Sequence, residues 1–439
     1  MRRVNPDGEG TNPVKGSRGL GKPAVPGIGR RRGSALLLTL ALSLAAGAAG
    51  AAELEMEIEC NQRTRSDHIR YLVRDCLEEQ GAEGLEDIDG PKLEQCLMNS
   101  ELFTEANVST DEVLTISVSD RWTLIPLPFV RSQEDSTNIG GFVMDSNFLG
   151  RGQLIVLGAT FGSLGSSYFA MLRDPSVAFT DWTSRVVYIQ DFGDILRYRG
   201  GAKSDGYHQK ERTLSLSPGY QFTTGLEGRI VLGYTTRDYG TAEAFETVPE
   251  DYRYWSAGLG VTYDAADYKF YFRDGHRVKA EIQHQFARRG EGDPTLSGEV
   301  GWDWQLPFPG RNVLKISCEG MAVNSDAAVD SFQLGGRKSL QGVQDKGLWV
   351  QYLAGAVVDY HIPLREGRWG TWAAGPFASY AIYRPAADDA GGGWQDTISY
   401  GLGISYYLKK VAFPGIGIVV GKNEDFSGNF VTLQIGFGF

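Results

Sequence analysis

Residues 429–439, at the end of the chain, read NFVTLQIGFGF. Apolar side chains occupy every second position and alternate with small or polar ones. The apolar set is Val431, Leu433, Ile435, Phe437 and Phe439. Because successive side chains of a strand point to opposite faces, the segment predicts a strand with one apolar face. Such an ending fits two classes of protein: an outer-membrane barrel closed by its last strand, and a soluble β-domain with a terminal edge strand.

The same alternation recurs along the chain from residue 121. It is clearest in segments 226–234, 276–286, 313–322 and 400–408. Strands of about ten residues cross a bilayer at a tilt, whereas strands of soluble sandwiches are usually about half that length. We therefore expect residues 121–439 to form a transmembrane antiparallel β-barrel. At about twenty residues per strand and turn the expected count is about sixteen strands, with twelve or fourteen still open.

Residues 1–52 differ from the rest and read as targeting sequence. Arg30, Arg31 and Arg32 precede an apolar run at 35–46, and small residues at 49–52 offer a cleavage site. This pattern is typical of a disordered extension followed by a secretory signal peptide; a soluble protein with a buried apolar helix is the alternative. Beyond it, no stretch approaches the roughly 20 apolar residues of a membrane helix, so a membrane protein of this sequence must span with strands.

The net charge limits the classes of partner that fit this chain. The chain carries a formal net charge of −11, and removal of residues 1–52, with eight basic and two acidic residues, takes it to −17. Nucleic-acid-binding surfaces are basic, so the charge argues against nucleic acid as a partner. The histidines are scattered, and no glycine pair joins a strand to a helix. The sequence therefore predicts no enzyme, no metal site and no cofactor.

Residues 53–120 predict a small α+β domain of β-α-α-β-β order. Alternating apolar residues mark a first strand, and Ser66 is expected to cap a helix whose apolar residues recur every three or four positions. Asp89 and a following proline open a second helix, and a hairpin completes the unit. Both helices pack on the same sheet, which makes Cys76 and Cys96 the favoured disulfide pair in an oxidising compartment. Separate buried thiols remain the alternative.

Six segments carry longer motifs. They are MEIEC at 56–60, NSELFTEANVS at 99–109, GGFVMDSNFLGRGQ at 140–153, FQLGGRKSLQGVQDKG at 332–347, GAVVDYHIPL at 355–364 and GPFASYAIY at 375–383. In these motifs the chain resembles the outer-membrane assembly and translocation superfamily typified by BamA, TamA and the two-partner secretion transporters. The N-terminal unit is similar to one polypeptide-transport-associated (POTRA) domain, and the rest to the family's bacterial surface antigen barrel.

The segment at 332–347 departs from the family at its most characteristic point. The family loop carries Val-Arg-Gly-aromatic, and its Arg reaches into the lumen to face the Asp of a later Phe-x-Asp strand. Here the loop reads Leu-Gln-Gly-Val and the later strand reads Phe-Ala-Ser. We expect the loop to insert but to be held less tightly, by a neutral hydrogen bond worth about 1 kcal/mol. An ordinary external loop is the alternative.

The candidate clamp residues follow from this comparison. Gln341 and Ser379 take the places of the family's ionic pair, and a hydrogen bond between them is expected. Asp359 keeps an acidic position on the intervening strand, with Arg337 or Lys338 as its expected partner. The full candidate set is Gln341, Gly342, Asp359, Phe377 and Ser379.

The resemblance implies a protein of the bacterial outer membrane with its POTRA-like domain in the periplasm. It implies assembly or transport of a polypeptide client by strand addition, at an edge of the POTRA-like sheet or at the seam beside residues 429–439. Membrane lipid and a polypeptide or envelope protein are the implied partners, and no cofactor is implied. An outer-membrane pore or structural barrel without insertase activity is the main alternative. A lipase-like barrel is disfavoured because no Ser-His-Asp set stands out.

Overall fold

The computed structural model describes residues 55–435, apart from 134–135, 164, 200–201, 242–247, 291–292, 326, 336, 344–347, 387–392, 412–414 and 427. The predicted extension and signal peptide, residues 1–52, therefore lie outside the described residues. Phe437 and Phe439 of the predicted closing strand also lie outside them, and so does the side chain of Ile435.

A small α+β unit precedes the barrel. It consists of β1 (Met56–Glu59), α1 (Ser66–Gln80), α2 (Gly90–Asn99), β2 (Phe103–Ser109) and β3 (Leu114–Asp120). The sheet has the order β1-β3-β2, with β1 parallel and β2 antiparallel to the central β3. Helices and sheet share a core of Ile69, Val73, Leu77, Leu93, Leu97, Phe103, Leu114, Ile116 and Val118. In the described part of the chain, neither helix has the length and apolarity to cross a membrane.

The ends of both helices follow from local hydrogen bonding. Helix α2 begins after Asp89, whose side chain accepts a hydrogen bond from the Lys92 N–H at 3.1 Å. Helix α1 begins differently, because Arg65 is its N-cap residue with extended backbone and Ser66 already lies inside the helix. The prediction that Ser66 caps α1 is therefore wrong, since a cap residue has non-helical backbone. Gly81 ends α1 at a φ of 69°, a conformation that favours glycine.

A disulfide joins the two helices. It links Cys76 of α1 to Cys96 of α2, with Cα atoms 6.0 Å apart. Both cysteines pack against the core between helices and sheet. Cys60 and Cys318 are free thiols. Because a unit of this size buries a small core, the cross-link adds substantially to its stability.

In the described part of the chain, seventeen strands, β4 to β20, form one closed antiparallel barrel. Their bounds are β4 Leu124–Gln133, β5 Ser136–Phe148, β6 Gln153–Gly162, β7 Gly165–Asp174, β8 Trp182–Arg199, β9 Ala202–Thr223, β10 Leu226–Gly240, β11 Tyr252–Tyr268, β12 Arg273–Arg289, β13 Leu296–Pro307, β14 Val313–Val323, β15 Phe332–Leu334, β16 Leu348–Glu366, β17 Gly370–Pro385, β18 Gln395–Leu408, β19 Ile416–Asn423 and β20 Gly428–Ile435.

Consecutive strands are neighbours around the ring, and β20 closes it against β4. Strand β14 also pairs directly with β16, so sixteen of the described strands carry the wall. The three-residue β15 pairs with the first residues of β16. The predicted fold class, an antiparallel β-barrel behind one small α+β unit, is confirmed.

The wall has one apolar face and one polar face, as β18 shows. Its Ile398, Tyr400 and Leu402 are exposed, whereas the alternating Thr397 and Ser399 are buried. Other strands expose further apolar side chains, among them Val143, Leu157, Leu214, Ile230, Leu259, Ile282, Val300, Val358, Ile418 and Val431. Soluble proteins rarely expose apolar patches of this extent, so the outer surface fits lipid and the polar side chains fill the lumen.

Replacing Cys76 and Cys96 together by Ala removes the cross-link between α1 and α2. We expect the free energy of unfolding of the N-terminal unit to fall by about 2–4 kcal/mol, because the cross-link restricts the unfolded chain. Pulse proteolysis of the full-length protein in increasing urea measures the change. Cys60→Ser is the matched control, since Cys60 is an exposed free thiol, and it should leave the urea midpoint unchanged. Equal midpoints for the double variant and the parent would contradict the prediction.

Candidate functional site

The segment between β14 and β16 folds back into the barrel. Ser339, Leu340 and Val343 are each no more than 1 % exposed, although they belong to a connection between strands. Leu340 and Val343 pack in one cluster with residues of the wall's inner face: Met321, Leu353, Ala381 and Tyr383. Residues 337–343, which we call the luminal loop, therefore occupy the lumen.

Neutral hydrogen bonds hold the luminal loop. The carbonyl oxygen of Gln341 accepts hydrogen bonds from Ser399 Oγ at 2.8 Å and from Asn423 Nδ2 at 3.0 Å. Both donors are buried, on β18 and β19, and Asn423 also donates to Ser399 Oγ at 2.8 Å. Gly342 follows with a φ of 80°, and a Cβ there would lie 2.6 Å from the ring of Phe430. The conformation and the close approach both require glycine.

Ionic contacts of Arg337 add to these hydrogen bonds. Arg337 lies 2.9 Å from a carboxylate oxygen of Glu319 and 3.8 Å from one of Glu299, on β14 and β13. Two glutamates of the wall thus hold the guanidinium of Arg337, and the expected contact of Asp359 with Arg337 or Lys338 stays a prediction. The side chain of Lys338, the other predicted partner, lies outside the described residues.

The remaining predicted clamp residues lie on the neighbouring wall. Asp359 is on β16, opposite Phe377 of β17, and both Phe377 and Ser379 are buried. Ser379 Oγ has no hydrogen-bond partner among the described residues, so the expected bond between Gln341 and Ser379 is not formed. The reason is local: Ser399, directly opposite Ser379 in the register, already donates to the Gln341 carbonyl. That the loop is held less tightly than in the family stays a prediction.

Strand β20 occupies the closing position of the barrel, between β19 and β4. Val431 points outward and is 64 % exposed, while Leu433 is half-buried. Sequence reasoning identified this strand but missed Ser399 and Asn423. The alternation of segment 400–408 predicts that the small side chains of β18 face the lumen, and Ser399 continues this pattern. The alternation does not show which of these side chains contacts the luminal loop.

Beside the luminal loop lies a cavity of about 480 Å³. Its charged lining carries both signs: Arg229, Lys279, Glu281, Glu299, Asp303, Glu319 and Arg337. Arg229 pairs with Glu281 at 2.9 Å, so part of this charge is compensated within the wall. Within the described ranges, no group of three or more His, Cys, Asp or Glu side chains is arranged to hold a metal ion.

The N-terminal unit is docked on the turns at one end of the barrel, which we call the domain end. The turn between β5 and β6 carries the motif DSNFLGRG. Its Asn147 donates to Thr64 Oγ1 at 2.8 Å and accepts from the Gly152 N–H at 2.8 Å. The Arg65 N–H donates to the carbonyl of Gly150 at 2.9 Å. The motif thus forms a close backbone contact with the start of α1.

Further turns at the domain end also contact the helices. Thr224, between β9 and β10, donates to Glu79 of α1 at 2.7 Å. Lys269, between β11 and β12, donates to Gln95 of α2 at 2.7 Å. The unit therefore follows the rim of the barrel from β5 to β12.

His68 of α1 is buried at this junction, where a Cβ on Gly152 would lie 2.4 Å from its ring. Burial lowers the pKa of His68 to about 4; Asp174 opposes the shift and Arg151 adds to it. His68 Nδ1 has no hydrogen-bond partner among the described residues. The junction therefore accommodates a neutral imidazole and disfavours a charged one.

Solved structures share this fold. BamA from Haemophilus ducreyi lacking POTRA domains 1-3 matches with a TM-score of 0.55 at 13% identity, over 87% of this chain and 83% of that chain. CdiB from Escherichia coli matches with a TM-score of 0.56 at 13% identity, over 87% and 75% of the two chains. The chain has the fold of the BamA and CdiB barrels. CdiB from Acinetobacter baumannii matches likewise, with a TM-score of 0.53 at 12% identity over 87% and 72%.

The likeness lies in the fold rather than in the sequence. No family profile and no curated protein matches the sequence. The resemblance to BamA-type barrels, predicted from the hairpin at 140–153 and the loop at 332–347, is confirmed by these structures.

Replacing Ser399 and Asn423 together by Ala removes both donors to the Gln341 carbonyl. We expect the barrel to lose its heat-resistant gel mobility at a lower temperature, because a buried carbonyl left without donors costs about 1–3 kcal/mol. Ser379→Ala is the matched control: it lies opposite Ser399, and its hydroxyl has no partner among the described residues. It should leave the transition unchanged. A similar fall for the control and the double variant would refute the assignment of the two donors.

The burial of His68 predicts that docking weakens in acid. Once released, the imidazole titrates near its usual value of about 6.5, whereas in the docked state its pKa is about 4. Between the two pKa values the released state binds more protons than the docked state. Docking is therefore stable above about pH 6.5 and weakens as the pH falls toward about 4. We expect trypsin cleavage after the buried Arg121 to rise about tenfold, relative to His68→Gln, between about pH 7.5 and pH 5.5.

The comparison with His68→Gln at each pH isolates this histidine. It cancels the pH dependence of trypsin and the opposite contribution of Asp75, whose pKa burial and the nearby Asp181 raise to about 6. Parallel pH profiles for the parent and His68→Gln would show that His68 does not control docking.

Proposed function

We propose that this protein is an outer-membrane barrel that assembles or transports a polypeptide, with its POTRA-like N-terminal unit in the periplasm. Bacterial membrane lipid surrounds the wall, and a polypeptide or envelope protein is the partner. The mechanism is strand addition, in which an extended client segment pairs with an unpaired strand edge. It requires neither a catalytic group nor a cofactor.

One observation carries the proposal: a small sheet with unpaired edges is fixed on the rim of a lipid-facing barrel. Among the described residues, β1 and β2 each pair only with β3, so both outer edges of the sheet lack a strand partner. Such an edge presents N–H and C=O groups that bind another strand. Docking of α1 and α2 on the barrel turns keeps this sheet beside the rim.

The seam between β4 and β20 offers a second place for the same mechanism. The exposed side chain of Val431 on β20 faces lipid, so a client strand that pairs here enters the bilayer directly. Just before β4, the Trp122 N–H donates to the Lys410 carbonyl at 3.0 Å. This contact ties the linker to the β18–β19 turn beside the seam.

A pore or structural barrel without insertase activity is the second candidate function. The cavity beside the luminal loop favours it, because charged side chains of both signs support water inside the wall. The luminal loop argues against a permanently open pore, since Leu340 and Val343 are buried in the lumen.

Cross-linking in cells separates the two functions. A photoreactive amino acid at Glu57, an exposed position of β1, should capture polypeptides if clients add to the sheet. The same probe at Glu86, exposed in the turn before α2, is the matched control and should capture few. We also expect depletion of the protein to lower the amount of other outer-membrane proteins.

The outcomes are distinct. Polypeptide adducts at Glu57 but few at Glu86 support transport or assembly. Capture of only lipid or peptidoglycan at Glu57, together with ion conductance in planar bilayers, would contradict the proposal and favour a pore.

A further inference from the structure

The turn between β11 and β12, residues 269–272, reaches across the domain end of the lumen. Tyr271 is 3 % exposed and packs in one buried cluster with Val313, Ala373 and Tyr407. Ala373 and Tyr407 lie on β17 and β18, four and five wall strands away from β12 in the described ring. Tyr271 can belong to a cluster with these two residues only if the turn extends over the opening of the barrel.

The backbone of this turn is strained. The Tyr271 N–H donates to the Lys269 carbonyl at 2.9 Å, and Phe270 between them has a φ of 71°. This combination is a γ-turn of the rare, strained type. Strained backbone persists where surrounding contacts impose it, and it is concentrated at functional sites.

The N-terminal unit supplies such contacts on one side of the turn. Gln95 of α2 accepts from Lys269 Nζ at 2.7 Å and donates to the Tyr268 carbonyl at 3.0 Å. Asn99 accepts from the Tyr268 N–H at 2.9 Å. Arg121, just after β3, also donates to the Tyr268 hydroxyl at 2.7 Å and lies over its ring. Side-chain contacts of Lys269 and backbone contacts of the preceding Tyr268 therefore bind the turn to the N-terminal unit.

The barrel wall supplies the contacts on the other side. The Tyr271 hydroxyl donates to the Arg311 carbonyl, and its ring centroid lies 6.2 Å from that of Tyr407. The Tyr407 hydroxyl accepts from Lys315 Nζ at 3.0 Å and lies 3.1 Å from His361 Nδ1. Buried polar groups thus fix the ring against which Tyr271 packs.

The contacts along β14 show where the cavity of mixed charge lies relative to the turn. Val313 belongs to the buried cluster of Tyr271, Ser317 lines the cavity of mixed charge, and Glu319 pairs with the luminal loop. The cavity therefore lies between the turn at the domain end and the luminal loop farther inside.

We propose that residues 269–272 form a stopper that closes the domain end of the lumen, and that docking of the N-terminal unit holds it shut. Movement of the unit off the rim withdraws Gln95 and Asn99, which allows the strained turn to relax and the Tyr271 ring to leave the opening. The closure involves only the barrel and its docked N-terminal unit. It does not depend on the polypeptide client proposed above.

A cysteine at position 317 tests the stopper from inside. Ser317→Cys is introduced with Cys60→Ser and Cys318→Ser, and its modification by a charged maleimide is timed on folded full-length protein in detergent. Tyr271→Ala should raise the rate about tenfold, the change that 1.4 kcal/mol in the closed–open equilibrium produces. Gln95→Ala with Asn99→Ala should also raise the rate, although it leaves residues 269–272 intact.

Matched controls separate the stopper from general loosening. Tyr380→Ala removes an exposed tyrosine of β17, and Lys92→Ala changes an exposed residue of α2; neither should alter the rate. Heat-dependent gel mobility confirms that each variant is folded. Equal rates for the parent and Tyr271→Ala would overturn the stopper. An unchanged rate in the Gln95 and Asn99 double variant would overturn the role of docking, whether or not Tyr271→Ala folds.

Discussion

Pairing of every backbone N–H and C=O group between neighbouring strands is the constraint on which the rest of the structure depends. In lipid no water replaces a missing partner, so a sheet that spans the membrane must close on itself. Here β14 pairs directly with β16, from Val313 opposite His361 to Ala322 opposite Tyr352. The chain between these strands is thereby excluded from the wall, apart from the short β15. The buried residues of this segment lie in the lumen.

Once inside, the luminal loop must satisfy its own polar groups. A buried charge without a partner lowers the free energy of unfolding strongly, whereas an unpaired neutral donor or acceptor lowers it less. The Gln341 carbonyl is matched by Ser399 and Asn423, and the half-buried Arg337 keeps the ionic contact with Glu319. The loop is thus anchored both by the backbone carbonyl of Gln341 and by the side chain of Arg337. Hydrogen bonds also hold the turns at the domain end, where they join these turns to α1 and α2.

Much of the fold was predictable because its signals are local. Alternation alone assigned Tyr400 and Leu402 to the outer face of β18, and a capping rule placed the start of α2 after Asp89. The loop contacts were not predictable, since Ser379 and Ser399 are both buried and only the path of the loop decides which one donates. The turn at 269–272 was equally hidden, because its contact with Gln95 joins residues 174 positions apart.

A barrel whose lumen is occupied by its own residues is poorly suited to passing solutes. The outer edges of the N-terminal sheet, which have no strand partner among the described residues, offer the place proposed above for a polypeptide strand. Reconstitution of the full-length protein in lipid vesicles, with an unfolded outer-membrane protein added from outside, tests this most directly. We expect the added protein to insert and fold faster than in vesicles without the barrel, while ion conductance stays low. Equal insertion rates in both kinds of vesicle, with steady ion conductance, would contradict this view of the molecule.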